Sequence, residues 1–524
     1  MTVRRVMGTE TEYAVSAPAV SHANPVQLSF DVIGAAADPE RSRIRWDYRQ
    51  EDPVNDARGT RLERAAARPD MLTDEPQLNI VNVIAPNGGR MYVDHAHPEY
   101  SAPETTDPFE AVRYDHAGDL LMRRAAASAS VGTGHDIVLH RNNVDGKGAS
   151  WGTHENYMML RSVPFDTVAA LMTAHFVSRQ IYAGSGRVGI GERSETAGYQ
   201  LSQRADYIHA ILGLQTTFER PIVNTRDESH SPSDYRRLHV IVGDANRMDV
   251  PQTLKLGATS MLLWLAEHAD ETGYDLAALL DSMALVDPVS AMHTVSHDLT
   301  LQAELPLRDG GVTNAWIMQV RLRAAVYEMG ALVYGTDTRG EPLWPDKPTT
   351  GIMALWGQAL ADVAAIRHAD DDTRLNMQPE ASRVEWLMKW QLLERLRRRH
   401  GLSWNDPKLR AIDLGWAALD PVRSIFEKVR SRTERTVDDR QVADAAGNAP
   451  QTTRAWLRAA VVNRYASQVV AVSWSHLTVR RHDAPQTEPS DRPAVRPVLA
   501  RHVRSVRLRQ GAHGRVRGRH AKRR

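Results

Sequence analysis

An α+β fold, with a curved antiparallel sheet and helices packed on it, is what the order of segments predicts. Strand-like stretches fill the first half of the chain and helical ones the second, unlike the βαβα alternation of a parallel sheet. The tetrapeptide PNGG at 86–89 joins two of those stretches, as a tight turn between neighbouring strands would. At 524 residues, one large domain plus a small one fits better than several small ones. The expected division is 1–430, 431–479 and a tail over 480–524.

Taken in order, residues 4–16 (RRVMGTETEYAVS) read as a strand with alternating sides. Residues 37–79 hold 18 charged side chains, several prolines and no sustained apolar face, which predicts a long solvated insertion rather than core. Strands return at 80–84 and 90–95, with a helix over 109–128 and strands over 136–142 and 154–161. A helix over 166–182 and the apolar strand LHVIVG at 238–243 follow. Helices are then expected over 252–268, 315–334, 351–369, 382–400 and 420–432, with a last one over 453–473.

Hydrophobic residues at 42% and charged residues at 25% are ordinary for a globular chain. No apolar run approaches the roughly 18 residues of a membrane span, and the N-terminus lacks the apolar core of a secretory signal. The expectation is a cytoplasmic protein without a membrane partner, and a monomer. The absence of cysteine removes disulfides, thiolate nucleophiles and zinc–thiolate sites. Charge is uneven: residues 480–524 carry 14 Lys/Arg against 3 Asp/Glu, a net +11, so the rest carries −10 under an overall +1.

Several residues have the types and spacing of a charged active site. Glu10 and Glu12, two apart on a strand, point to one face. Adjacent carboxylates repel and are costly to desolvate unless a cation neutralises them, and Mg²⁺ takes carboxylates, waters and phosphates. The segment RMYVDHAHPEYSAPE (90–104) is the densest polar cluster. Arg90, Tyr92 and Asp94 share a strand face opposite Met91 and Val93, and Pro98 is expected to end that strand and re-aim Glu99. His154, Glu155 and His239 could complete a metal shell or hold a phosphate. Arg204 and Arg226 could grip phosphate or carboxylate bidentately. Gly184-Ser-Gly186-Arg-Val-Gly189 matches a dinucleotide fingerprint but lacks its strand-before, helix-after setting, so a Rossmann site is rejected.

In order along the chain, GTETEYAVS, RMYVDHAHPEYSAPE, THENYMML, LSQRADYI, RPIVNTRDESH and YRRLHVIVGDANR are similar to the Pup ligase/depupylase family over most of residues 1–475. That family resembles carboxylate–amine ligases of the glutamine synthetase type, which implies a sheet cradle holding ATP and Mg²⁺, with Pup and pupylated proteins as partners. The opening GTETEYAVS, where ligases tend to read GIETEFGV, and the charged insertion before Arg90 resemble the depupylase branch. The implied activity is hydrolysis of the Pup–lysine isopeptide bond and deamidation of a C-terminal glutamine on Pup. ATP would be bound rather than steadily consumed.

By the same resemblance, Glu10, Tyr92 and Glu99 fall on metal positions, Arg90 on an ATP position and Asp94 on the catalytic aspartate. Trp474 falls on the nucleotide-contacting tryptophan. A threonine that contacts ATP in ligases is Ala102 here. Glu12, His154 and Glu155 are assigned metal roles, and His239, Arg226 and Arg204 cofactor roles. After Trp474 the likeness stops. The Arg/Ala/His/Gly/Pro bias of 480–524 suggests GC-rich coding DNA read in another frame, the alternative being a disordered basic tail with nonspecific phosphate affinity. The rival functions are a Pup–protein ligase and an ATP-binding protein with a nucleic-acid-binding tail.

Overall fold

The computed structural model describes residues 3–63, 65, 82–228 and 230–480, and residues 503–507 as backbone only. Its centre is a six-stranded, wholly antiparallel sheet. The strands are β1 (Met7–Glu12), β3 (Asn82–Ile84), β4 (Arg90–Asp94), β5 (His97–Ser101), β6 (Thr153–Leu160) and β7 (Tyr235–Val240), in the order β7-β6-β1-β5-β4-β3. Burial alternates along β6, as expected of a strand with two different faces.

One face of this sheet is covered by helices. α1 (Pro25–Ala35) is capped by Asn24, whose side chain accepts from the Val26 and Gln27 N–H groups. α2 (Pro108–Thr133) starts at the Asp107 cap with Pro108 in its first turn and stops at Gly134, φ 72°. The alanine-rich α2 lies close on β1 and β5. Gly118 faces the ring of Tyr100, which is wholly buried. Between helix and strand, Asp115 accepts from the hydroxyls of Thr9 (2.8 Å) and Thr11 (3.2 Å). A second, larger core surrounds α3 (Phe165–Ser178), α4 (Asp249–Thr272), α5 (Ala315–Tyr334) and α6 (Lys347–His368), with Trp264 and Trp356 fully buried. Among the described residues, α6 alone has the length and mean hydropathy of a membrane-crossing helix, although Gln358 and Asp362 interrupt it. Its Ile352, Met353, Trp356, Val363 and Ile366 are buried in this core.

The C-terminal part departs from expectation. The helix expected over 453–473 ends as α7 (Ala455–Tyr465), and the β-branched run that follows forms β8 (Val469–Val472), paired with β9 (His476–Arg480). The insertion supplies β2 (Arg45–Trp46), parallel to β8, and β10 (Val503–Arg507) pairs with β9. Ile44, Trp46, Ile84, Val462, Val472 and Leu477 form a separate core there. The apolar clusters therefore do not follow the expected 430/431 division: Ala445 and Ala446 pack with the α2 cluster instead.

The described part of the insertion is packed at several points, not solvated throughout, while charged side chains such as Arg43, Arg49 and Arg58 stay exposed. Ile44, Trp46, Val54 and Asp56 are buried, and residues 52–57 pair along 225–228, with Ala57 N–H donating to Thr225 (2.7 Å) and Asp227 N–H to Asn55 (2.9 Å). Its dispersed apolar residues show no periodicity because they bind two different elements. Residues 66–79 of the insertion, and the tail apart from Arg480 and the β10 backbone, lie outside the described residues. The strand expected over 4–16 is two, β1 and Ala14–Ser16, the latter pairing with Val138–His140. Arg187–Ile190, inside the rejected glycine motif, is a strand with no helix directly after it.

Gly118→Ala would place its Cβ 2.1 Å from the Tyr100 ring. The expected result is a loss of about 1–3 kcal/mol or more from overpacking, read as a fall in the urea midpoint, and an unchanged midpoint would contradict this packing.

Candidate active site

Strand register brings distant motifs side by side. Arg90, Ser101, Glu10 and His154 form one row across β4, β5, β1 and β6, and Tyr92, Glu99 and Glu12 form the next. Asp94 pairs with His97 at the end of the β4–β5 hairpin, whose turn is His95–Ala96, with His95 at φ 51°. The Ala96 carbonyl accepts from Ser29 Oγ on α1 (2.8 Å), which fixes the turn from behind. Pro98 does not end a strand. It lies inside β5, opposite Val93, and its carbonyl accepts from the Tyr13 N–H (3.0 Å). The turn falls three residues earlier than expected, and it is the register that sets Glu99 between Tyr92 and Glu12.

Of these, Glu10, Arg90, Tyr92, Asp94, Glu99, Ser101 and His154 line a cavity of about 420 Å³, whereas Glu12 is not among its lining residues and its carboxylate accepts from the Gly152 N–H. Arg226, His239 and Trp474 line it too. Glu10 Oε2 lies 3.3 Å from His154 Nδ1 and 3.5 Å from His239 Nε2, and Oε1 lies 3.7 Å from Arg237. Burial opposes ionisation of Glu10, yet these neighbours hold its carboxyl well below the usual range. Burial lowers His239 to about 3, with Arg237 adding to the effect, so its imidazole is neutral. Apart from the 3.5 Å approach of Glu10 to Nε2, neither ring nitrogen of His239 has a hydrogen-bond partner among the described residues.

Glu99 behaves oppositely. Burial, then the carboxylates of Asp94, Glu12 and Glu10, push its pKa well up, and the Tyr92 hydroxyl donates to it. Asp94 is lowered: burial works against ionisation, but the hydrogen bond from His95 (Nδ1 to Oδ2, 3.1 Å) and the cationic surroundings outweigh it. Two groups offer close ligand atoms, Glu10–His154–His239 and Glu12–Asp94–His95, each within 4.8 Å of one another. Four carboxylates on one buried face, one forced towards its protonated form, are an arrangement that a divalent cation relieves. The donors therefore fit Mg²⁺.

Arg90 is clamped. Its guanidinium lies 4.1 Å from the Trp46 ring and 3.8 Å from that of Tyr92, and it donates to Asn82 Oδ1 (2.8 Å) and the Tyr48 hydroxyl (3.2 Å). Trp474 meets Trp46 edge-on at 5.1 Å, and its own ring lies 4.9 Å from the Arg458 guanidinium. Arg458 is held by Glu104 (2.5 Å), the last acid of the dense cluster. The aromatic wall thus combines insertion, central sheet and C-terminal module.

Two expected site residues are elsewhere. Glu155 follows His154 and so points to the opposite sheet face, where it is buried against Arg179 (2.5 and 2.9 Å) and the Tyr157 hydroxyl (2.6 Å). It cannot join Glu10 in a metal shell. Arg204 is buried under the site and donates to the carbonyls of Trp151 (2.7 Å) and Ile241 (2.9 Å) and to Ser150 Oγ. Burial lowers its pKa to about 9, with Arg220 adding to the effect. It braces the strand ends rather than facing the cavity. Sequence reasoning missed Tyr48, Glu51, Glu228, His230 and Arg237, all in the wall. Arg237 was legible, two residues before His239 on the same strand face. Tyr48 and Glu51 were not, because they reach the wall only through docking of the insertion. Burial pushes Glu51 up to about 7, against the pull of Arg90 and a hydrogen bond from Trp46 Nε1 (2.7 Å).

The family described as Pup-ligase protein matches residues 5–478. The chain is 42% identical over 480 residues to the Pup deamidase/depupylase of Mycolicibacterium smegmatis, covering 90% of this chain and 91% of that one. It is 35% identical over 416 residues to the Pup–protein ligase of Micrococcus luteus, covering 76% and 84%. Among solved structures, the complex between prokaryotic ubiquitin-like protein Pup and its ligase PafA superimposes with a TM-score of 0.73 at 25% identity, over 98% of this chain and 89% of that one. PafA bound to ADP gives 0.66 at 27% identity, over 83% and 87%. With an antiparallel sheet that gathers carboxylates on one face, and a match spanning nearly the whole described chain, this protein belongs to the Pup-ligase family.

Proposed function

We propose that this protein is a cytoplasmic depupylase and Pup deamidase, a hydrolase that uses bound ATP and Mg²⁺ to cut Pup from substrate lysines. The observation that supports it most is the ionised Asp94 at the mouth of a carboxylate-lined cavity, in a chain more similar to a depupylase than to a ligase.

An isopeptide carbonyl is a poor electrophile, so hydrolysis needs a nucleophile and stabilisation of a tetrahedral oxyanion. Asp94 is charged at neutral pH, and both roles open to it, direct attack on the carbonyl carbon or deprotonation of an attacking water, start from that form. His95, 3.1 Å from Asp94, is within reach to hold a proton that must pass to the departing amine. When bound, Mg²⁺ would supply positive charge next to nucleotide phosphates and the developing oxyanion. Glu10, Tyr92 and Glu99 would hold it, with Glu12 and His154 completing the set. Arg226, on the cavity wall, would contribute to oxyanion stabilisation, worth a few kcal/mol in a dry site. Arg90 and Trp474 would hold the nucleotide. A carboxamide differs from an isopeptide only in its leaving amine, so the same groups would deamidate a C-terminal glutamine of Pup.

Asp94→Asn should abolish release of Pup from a preformed conjugate incubated with ATP and Mg²⁺, read by mass, while nucleotide affinity by titration calorimetry stays within about threefold. Full activity in this variant would remove Asp94 from the chemistry. Should the wild type join free Pup to lysine with stoichiometric ADP formation and release none from the conjugate, it is a ligase.

Glu51 gives a pH dependence. Its pKa is raised from the ordinary glutamate value of 4.5 to about 7 on folding, so the folded state holds a proton that the unfolded chain has lost in this window. Stability from this group is present below about pH 4.5 and falls as pH rises towards 7, by about 3 kcal/mol. Glu51→Gln should therefore raise the melting temperature at pH 8 relative to wild type and leave it unchanged near pH 4.5. An equal shift at both pH values would refute the burial of a neutral carboxyl.

A further inference from the structure

On the side of the sheet away from the active site lies a second cavity, of about 480 Å³. One wall is the face of α2 bearing His116, Asp119, Leu120, Arg123 and Arg124, and the others come from Arg247 and Asp249 and from segments between 419 and 443. Its lining mixes the apolar Leu120, Leu419, Phe426 and Val442 with Arg123, Arg124, Arg247, Arg430 and Arg435.

The acids of this wall are all engaged. Asp119 accepts from Arg141 (3.0 Å) and Arg247 (3.4 Å), and Asp249 is bound by His116 (3.1 Å) and Arg435 (2.9 Å). Asp439 pairs with Arg430 and Arg435, and Glu427 with Arg247 (3.3 Å). The cations are in surplus. Arg123 and Arg124 have no acidic partner among the described residues. Arg247 is only 7% exposed; its Nη groups bind Asp119 and Glu427, and its Nε has no hydrogen-bond acceptor among the described residues. A buried guanidinium donor without an acceptor is costly, and an oxyanion that reached it would satisfy it.

The pocket is also wired to the catalytic strand. Asp119 accepts from the Tyr13 hydroxyl (2.8 Å) and from Arg141, which in turn binds Asp115 (2.5 Å). Asp115 holds Thr9 and Thr11, which alternate along β1 with Glu10 and Glu12 on its other face. A ligand competing for Arg247 at the rear would remove one partner of Asp119, which backs the strand whose front bears the active-site carboxylates.

We propose that this rear cavity is a second binding site, for a small organic oxyanion with an apolar portion, whose occupancy is coupled to the active site through Asp119, Arg141 and Asp115. The apolar lining residues distinguish such a ligand from bare inorganic phosphate. The carboxylate- and phosphate-bearing sources of that chemistry are separated by the probes below.

The test is titration calorimetry of the full chain with citrate, with phenyl phosphate and with inorganic phosphate, comparing wild type with an Arg123→Ala/Arg124→Ala double variant and with Arg226→Ala. The double variant removes exposed rim charges and should leave folding and basal activity intact. Arg226→Ala removes one of the cations of the front cavity. The expected result is that citrate or phenyl phosphate binds at least tenfold more tightly than inorganic phosphate. That binding should weaken at least tenfold in the double variant and persist in Arg226→Ala. Binding that is equal in wild type and the double variant, or lost in Arg226→Ala, would place the anion in the front cavity and overturn the proposal. So would absence of binding by all three probes. Because the readout is affinity at the rear, failure of the depupylase reading leaves this outcome unaffected.

Discussion

The structure turns on an electrostatic constraint: Glu10, Glu12, Glu99 and Asp94 share one face of a buried antiparallel sheet, within a low-dielectric layer where like charges cannot all stay ionised. The fold meets this partly from within. His154, His239 and Arg237 stabilise the charge on Glu10, and His95 that on Asp94, while Glu99 is driven towards its neutral form. What remains uncompensated is a demand for external positive charge beside a clamped arginine and an aromatic wall. That demand is what makes the sheet face suitable for a nucleotide and its metal.

The opposite face solves a different problem. There Asp115, Asp119 and Arg141 form a buried network with Thr9, Thr11, Tyr13 and Gln252, so β1 is held from behind by polar groups rather than by packing alone. Breaking one partner of such a network leaves a buried charge uncompensated, which is far more costly than a lost surface pair. A rigid β1 keeps Glu10 and Glu12 at fixed spacing, which a site built to bind a cation requires. Glu155 belongs to this rear framework with Arg179, in spite of its place in a motif beside His154.

The insertion changes character between sequence and structure. Its charge density suggests a solvated loop, yet its described half lays Trp46 under Arg90, places Tyr48 and Glu51 in the cavity wall and pairs with the segment bearing Arg226 and Glu228. Charged side chains here fill ion pairs such as Arg58–Asp56 and Arg49–Asp47 while the backbone makes the contacts. Composition reports the first and is blind to the second.

By itself the sequence determined the alternation of faces on β1 and β4, because a strand's side chains alternate with period two whatever lies around them. It thereby determined that Glu10 and Glu12, and Arg90, Tyr92 and Asp94, act as sets. The long helices were legible for the same reason, α5 to the residue, since their apolar spacing is local. Only the tertiary structure decided which sets meet. The His95–Ala96 turn, the register of β5 against β1 and the docking of residues 44–57 depend on contacts between segments far apart in the chain. Glu155 and Arg204 show the limit most plainly: their residue types suit a charged site, but which side of a strand meets the cavity is settled by what packs on the other side.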